Sequence, residues 1–521
     1  MRQALARTIG PRGANVPKLQ PGAQIEFIPA PTQGWDTETP IAELPQTRAR
    51  SFDNWVPRGT TIAIRKGYSD HVTGVGHPVE TLMPYSSGTA QKLFAAASSA
   101  IYDVSSPGAV GAAAVTSLTN ARFSHVNFTT SGGSFLWVCN GADDPRHYNG
   151  TTWATPTLNM TTFADNDIKH VFAFKERLYF VFKDSLTFGY LPVQSIAGTV
   201  ANFPLGAVFN FGGELIAGGT LSRDGGDGMD DFAVFLTSEG EIAVYQGFNP
   251  GSASEWELVG VYYIGEPVGD RPIIEIGNDL AVITRRGVMS VLRTMAGGAD
   301  KDRDYFAQVS TPLRSALSTG AGFTGWEGLI VPGEGLLLVN APMSTETAHQ
   351  YIRDLGTSAP GRFTGWNFET FEIYNGECYA GTLDGRVVTC FDGNDDDDAD
   401  ITAAAAGAWT IAGYVGIKTL LEIRPVLTTA TSAVMRIVGR ADFRDSPPLG
   451  AWPQSTITNA LIWGSGIWGT NLWGGEDATT RGWRAISGEG QNISLVYEAR
   501  SNQSQMELNG FNLRYSRGGQ I

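Results

Sequence analysis

The sequence predicts an all-β protein: a β-propeller of six or seven blades, followed by a C-terminal antiparallel domain of β-sandwich-like character. Three observations predict it. A strand–turn–strand unit recurs at intervals typical of propeller blades. The composition suits short strands and tight turns, and the character of the chain changes abruptly after residue 392.

Of 521 residues, 42% are hydrophobic and 17% charged, the balance of a folded chain rather than a disordered one. The 64 glycines and 26 prolines favour turns, and long helical periodicity is hard to find.

Residues 1–44 read as an extended arm punctuated by Pro and Gly. Arg2, Arg7, Arg12 and Lys18 all precede the first acidic residue, Glu26, although the net charge of the chain is −15. Such a segment is either a loose tail or an arm that docks on an acidic neighbour. The opening residues lack the apolar core of a secretory signal, and no run reaches the roughly 18 apolar residues of a membrane helix. Folding in the cytoplasm, without stable membrane insertion, is therefore expected.

Residues 45–392 carry the repeat. It reads "LFAAASSAIYDV" from Leu93, "FLWVCNGADDPRHYN" from Phe135 and "LYFVFKDSLTFGY" from Leu178. It returns from Phe232, Leu280, Leu336 and Cys378, with starts separated by 42, 43, 54, 48, 56 and 42 residues. Turns such as Ser238–Glu241 and Leu383–Arg386 supply the glycine that a tight hairpin needs. One blade cannot bury both of its faces, whereas a closed ring of blades can. The strand near residues 60–68 is expected either in the first blade or as the closure of the last.

Residues 393–400, "GNDDDDAD", form an acidic linker that is expected to be solvated rather than packed. In residues 401–521 the alternation changes to period two: Ile493, Leu495, Tyr497 and Ala499 share one face, as do Phe511, Leu513 and Tyr515. These strands predict a sheet or sandwich, with a Trp-Gly repeat inserted between them.

Known catalytic patterns are missing. The six histidines fall in no metal-binding motif, and neither a nucleophile elbow nor a phosphate loop is present. His71 and His77 are expected as surface polar residues of a Gly-rich loop. "SRDGGDGM" matches a sialidase-type turn at Ser222, Asp224 and Gly226, but Met229 stands where tryptophan belongs. The acids at 224–231 have no calcium-loop spacing. Cys139, Cys378 and Cys390 lack both a disulfide framework and zinc spacing and are expected as buried free thiols. We expect no enzymatic activity and no cofactor.

The stretch "SFDNWVPRGTTIAIRKGY" (51–68) carries a resemblance. With residues 234–288 and 361–393, it is similar to the tail nozzle, or packaged-DNA stabilisation, family of short-tailed, podovirus-like bacteriophages. The resemblance implies a propeller subunit in a hexameric ring, assembled in the host cytoplasm and residing in the virion tail. Its partners would be the head–tail adaptor, tail fibres, a needle or plug, and genomic DNA that passes through without specific binding. A conduit must not grip phosphates, and an acidic surface leaves a duplex free to slide. Asp395, Asp396, Asp397 and Asp398 are the candidate channel-lining acids. The alternatives are a receptor- or glycan-binding tail component and a propeller polysaccharide depolymerase.

Trp463, Trp468 and Trp473 recur every five residues in "LIWGSGIWGTNLWGG". On a strand this step alternates faces, and on a helix it scatters the indoles. Packing or a subunit contact, a host-surface contact and glycan binding are the readings they allow.

Overall fold

The structure is a computed structural model. It describes residues 23–224, 229–429, 434–444, 449–452, 478–479, 482–501 and 505–518. Within these residues, seven sheets follow one another around a ring, in chain order. Blade 1 begins with Val79–Ser86, blade 2 with Ser124–Thr130, blade 3 with Ile168–Phe174 and blade 4 with Leu215–Asp224. Blades 5, 6 and 7 begin with Ile273–Ile276, Glu327–Val331 and Phe368–Tyr374. These seven innermost strands each touch the next, and the last returns to the first. The fold is a β-propeller, and its blade number is seven.

The sequence repeat is the second and third strand of every blade. Leu93, Phe135, Leu178, Phe232, Leu280, Leu336 and Cys378 all lie on second strands. These strands are the most apolar because they are covered on both faces by neighbouring blades; Leu336–Pro342, for example, is buried at every position. The turn glycines have the expected left-handed backbone, with φ of 81° at Gly240 and 86° at Gly385.

Closure mixes the two ends of the ring. Tyr68–Thr73 supplies the outer strand of blade 7, pairing antiparallel to Val387–Cys390. The strand just before it, Thr61–Ile64, belongs instead to the second module. Blade 5 has three strands, and helices Val291–Met295, Asp300–Arg303 and Ser310–Gly320 follow where a fourth would stand. Buried Asp279 organises this departure. It accepts bonds from Ser290 Oγ, from the Leu292 amide at 2.9 Å and from the Tyr305 hydroxyl at 2.8 Å.

The second module is a sandwich of two sheets. One contains Trp55–Arg58, Thr61–Ile64, Lys418–Thr429 and Met506–Arg517, with Ala23–Pro29 paired to the last of these. The other contains Ala49–Asp53, Ile401–Gly407, Val434–Ala441 and Ile493–Ser501. Ile493, Leu495, Tyr497 and Ala499 do share the buried face, opposite Phe511, Leu513 and Tyr515. The boundary at residue 45 shifts accordingly. The strands of residues 23–29 and 49–64, read as arm and propeller, belong to the sandwich: Ala23–Pro29 and Thr61–Ile64 pair with Met506–Arg517, and Ala49–Asp53 with Ile401–Gly407.

The modules share a sheet. Ala49–Asp53 runs beside Pro360–Phe363 of blade 6, meeting it at Asp53 and Arg362. The Arg362 guanidinium forks onto the Asp53 carboxylate at 2.7 and 3.0 Å and lies over the Trp35 ring. One hydrophobic cluster runs from blades 5 and 6 through Trp35 and Tyr351 into the sandwich.

Candidate functional site

The innermost strands surround a cavity of about 750 Å³ on the ring axis. Its polar groups come from six blades, because the exposed positions of each first strand point to the axis. Arg271, on the segment entering blade 5, is the hub. It donates to the Glu80 carbonyl at 2.8 Å and to Thr370 Oγ1 at 3.2 Å, and ion-pairs with Glu327 at 3.1 Å. Glu327 also accepts from the Phe371 amide. Burial outweighs these partners and pushes the Glu327 carboxyl up to about 7.

Across the cavity, His125 Nε2 lies 3.3 Å from Glu372. Burial and the Glu372 charge together raise the pKa of Glu275. His170 links three blades: its Nε2–H donates to the Gly218 carbonyl at 2.8 Å, and its Nδ1 accepts from Ser124 Oγ at 3.0 Å. Burial lowers its pKa to about 4, so the ring is neutral at pH 7. Ser124 also receives the Val171 amide at 3.2 Å, so this Ser–His pair fastens adjacent blades rather than activating a nucleophile. Three glutamates against one arginine leave the cavity with an acidic excess, suited to water and to cationic or hydroxyl-bearing ligands. These residues carry no motif. Their signal in the sequence is a polar residue on the strand before each repeated hairpin.

The candidate acids lie elsewhere, at the junction of the modules. Asp396 is not solvated. Its two oxygens receive the Arg65 guanidinium at 2.7 and 2.6 Å, and Trp366 Nε1 donates to it at 3.0 Å. Asp397 pairs with Arg386 at 2.8 Å, and Asp395 Oδ1 accepts the Asp398 amide at 3.2 Å. Of the segment read as a solvated linker, Asp396 is folded onto the joint by Arg65, 331 positions away, whereas Asp397, Asp398 and Asp400 are exposed as expected. Trp463, Trp468 and Trp473 lie outside the described residues.

The Asn-Trp-x-Pro-Arg and Arg-Lys-Gly stretch builds the other half of this joint. Asn54, at φ 58°, donates to Thr364 Oγ1 and the Thr402 carbonyl and accepts from Arg65 Nε and the Thr364 amide. Arg58 and Lys66 both pair with Glu334. Arg65 stacks 4.6 Å above Trp366. His71 is not in a loop: it lies on the closing strand, bonded to the Val104 carbonyl at 3.0 Å and edge-on to Tyr379. Asp231 is held by Lys175 and Ser222. Among the described residues no group of His, Cys, Asp or Glu is arranged to hold a metal ion.

No family model and no curated protein matches this chain. Solved structures similar to it include the BBS1 N-terminal region crystallised with ARL6, at 10% identity and TM-score 0.40, covering 63% of this chain and 97% of that one. The Swd1 β-propeller domain of Myceliophteria thermophila matches at 10% identity and TM-score 0.37, covering 62% and 98%. YCF48 bound to a D1 peptide matches at 10% identity and TM-score 0.34, covering 68% and 99%.

Proposed function

We propose that this chain is a structural subunit of a short phage tail, a nozzle that extends the DNA channel below the portal and adaptor and retains the packaged genome until ejection. One observation carries the reading beyond the resemblance itself. Two of the stretches that bear the resemblance, 51–68 and 361–393, meet in a single hydrogen-bonded joint between the modules. Segments that share a family likeness and also share a contact fit a rigid building block. The cations support it too. Lys92, Lys169, Lys183, Arg362 and Arg386 are each held by a carboxylate of the same chain, which leaves them less free to neutralise phosphates. The subunit forms a hexameric ring touching the adaptor above, fibres at its flank and a needle or plug beneath.

The test is electron microscopy of particles from a virus that lacks this chain. Heads that package DNA but lose it, on truncated tails, support the nozzle. Full heads on complete tails that fail to adsorb favour a receptor- or glycan-binding component. The axial cavity, with its hydrogen-bonding carboxylates, favours that second reading, which requires the purified monomer to bind host surface sugars.

A further inference from the structure

Cys378 and Cys390 stand opposite each other across the hairpin of blade 7. The register Tyr379↔Thr389, Ala380↔Val388 and Gly381↔Val387 continues one step outward to this pair. Both side chains share a face with Ala380 and Val388, packed against blade 6, and both are free thiols. The bond from the Thr382 amide to the Arg386 carbonyl, at 2.9 Å, marks one hydrogen-bonded pair of this ladder. Such pairs alternate, so two steps of two residues make Cys378 and Cys390 another. They hold their Cα atoms about 5.5 Å apart, within the roughly 4.4–6.8 Å that a disulfide spans. Cys139 is remote from both, in the core between blades 2 and 3.

The pair sits at the ring seam. Cys390 is also the register partner of Tyr68 on the closing strand. The third strand of blade 7 is therefore flanked by the hairpin strand on one side and the closure on the other.

We propose that Cys378 and Cys390 are a modification site, a dithiol that oxidises to an intramolecular disulfide across its own hairpin and staples the blade that closes the ring. The oxidant is a small disulfide such as oxidised glutathione. One cysteine loses its proton, and its thiolate attacks a glutathione sulfur, breaking that S–S bond and releasing one glutathione thiolate. The second cysteine thiolate attacks the protein sulfur of the mixed disulfide, forming the new S–S bond and releasing the other. The chain loses two protons and two electrons, and oxidised glutathione becomes two reduced molecules. The closed ring withholds both thiols, which are 3% and 1% exposed, so the reaction belongs to the interval when the closing strand is off. The proposal is independent of the tail reading.

The test uses the full chain, reduced, denatured and refolded in a mixture of oxidised and reduced glutathione, with the native product alkylated and mapped by mass spectrometry. Two of the three thiols are lost, the peptides bearing Cys378 and Cys390 are joined, and Cys139 stays free. Soaking the already folded protein gives the same product at least roughly tenfold more slowly, because only the open fraction reacts. Native refolded protein with three free thiols overturns the proposal, as does glutathione retained on either cysteine. The same mapping on Cys139→Ser keeps the question open to a second reading: loss of both remaining thiols within one chain supports the staple, and a disulfide-linked dimer overturns it.

Discussion

Arg65 and Asp396 are 331 positions apart and meet fork to fork, at 2.7 and 2.6 Å, with the arginine side chain 1% exposed. Arg65 lies where the chain passes from the sandwich into the ring, and Asp396 where it passes back. The pair clamps both crossings at one point. A guanidinium stays charged at any working pH, so its burial depends on that carboxylate.

Asp396→Asn leaves the Arg65 charge buried without its partner and is expected to cost about 3–5 kcal/mol. Asp398→Asn, on an exposed neighbour, is expected to stay within roughly 0.5 kcal/mol. Denaturant midpoints of the two variants separate the roles of carboxylates that are only two positions apart.

Gly67→Ala tests the same joint from the backbone. A Cβ there would lie 1.4 Å from the Asp395 carbonyl oxygen, so a strand crossing must move. The expected loss is about 3 kcal/mol, the upper end for overpacking. Hydrogen exchange is expected to rise first in Tyr68–Thr73.

Two groups of the axial cavity impose opposite pH dependences. Glu327 titrates near 7 in the folded chain against 4.5 normally, so its contribution is full below 4.5 and lost as pH rises through 7. His170 titrates near 4 against 6.5, so its contribution is full above 6.5 and lost as pH falls through 4. Each is worth up to about 3 kcal/mol. Glu327→Gln is expected to make stability rise with pH between 4 and 7, and His170→Gln to make it fall, when unfolding is followed across that range.

Tyr497 is fully buried between Trp55 and Phe511, and its hydroxyl has no hydrogen-bond partner among the described residues. Tyr497→Phe removes a desolvated polar group and keeps the ring contacts. It is expected to stabilise the chain by about 1 kcal/mol in thermal or denaturant unfolding.

What was legible in the sequence was local. The hairpins starting at Leu93 and Cys378 announce themselves because both strands and their turn lie within a dozen or so residues, and apolar runs mark strands covered on both faces. The first strand of each blade, with His125, His170 or Glu327, is polar toward the axis and hides among loops. Blade 5 breaks the repeat through Asp279, whose three partners no periodicity reveals. The sequence does not assign the strands before residue 65 to the sandwich, because a strand does not name a partner such as Met506–Arg517. The burial of Asp396 is hidden for the same reason: a carboxylate's environment is set by its counterion, and Arg65 is far away in the chain.

The ring seam also dictates a timetable. Tyr68–Thr73 can join blade 7 only once Val387–Cys390 has been made, over three hundred residues later. At about 5–20 residues per second this is a wait of tens of seconds. Thr61–Ile64 waits longer still, for Met506–Arg517. During that interval Thr61–Ile64 has only its hairpin partner Trp55–Arg58, and each strand keeps an unpaired edge beside a growing stack of blades, open to pairing with another chain. Biosynthesis, rather than the finished fold, is when this protein is most exposed to misassembly, and slowing translation past Cys390 prolongs that exposure.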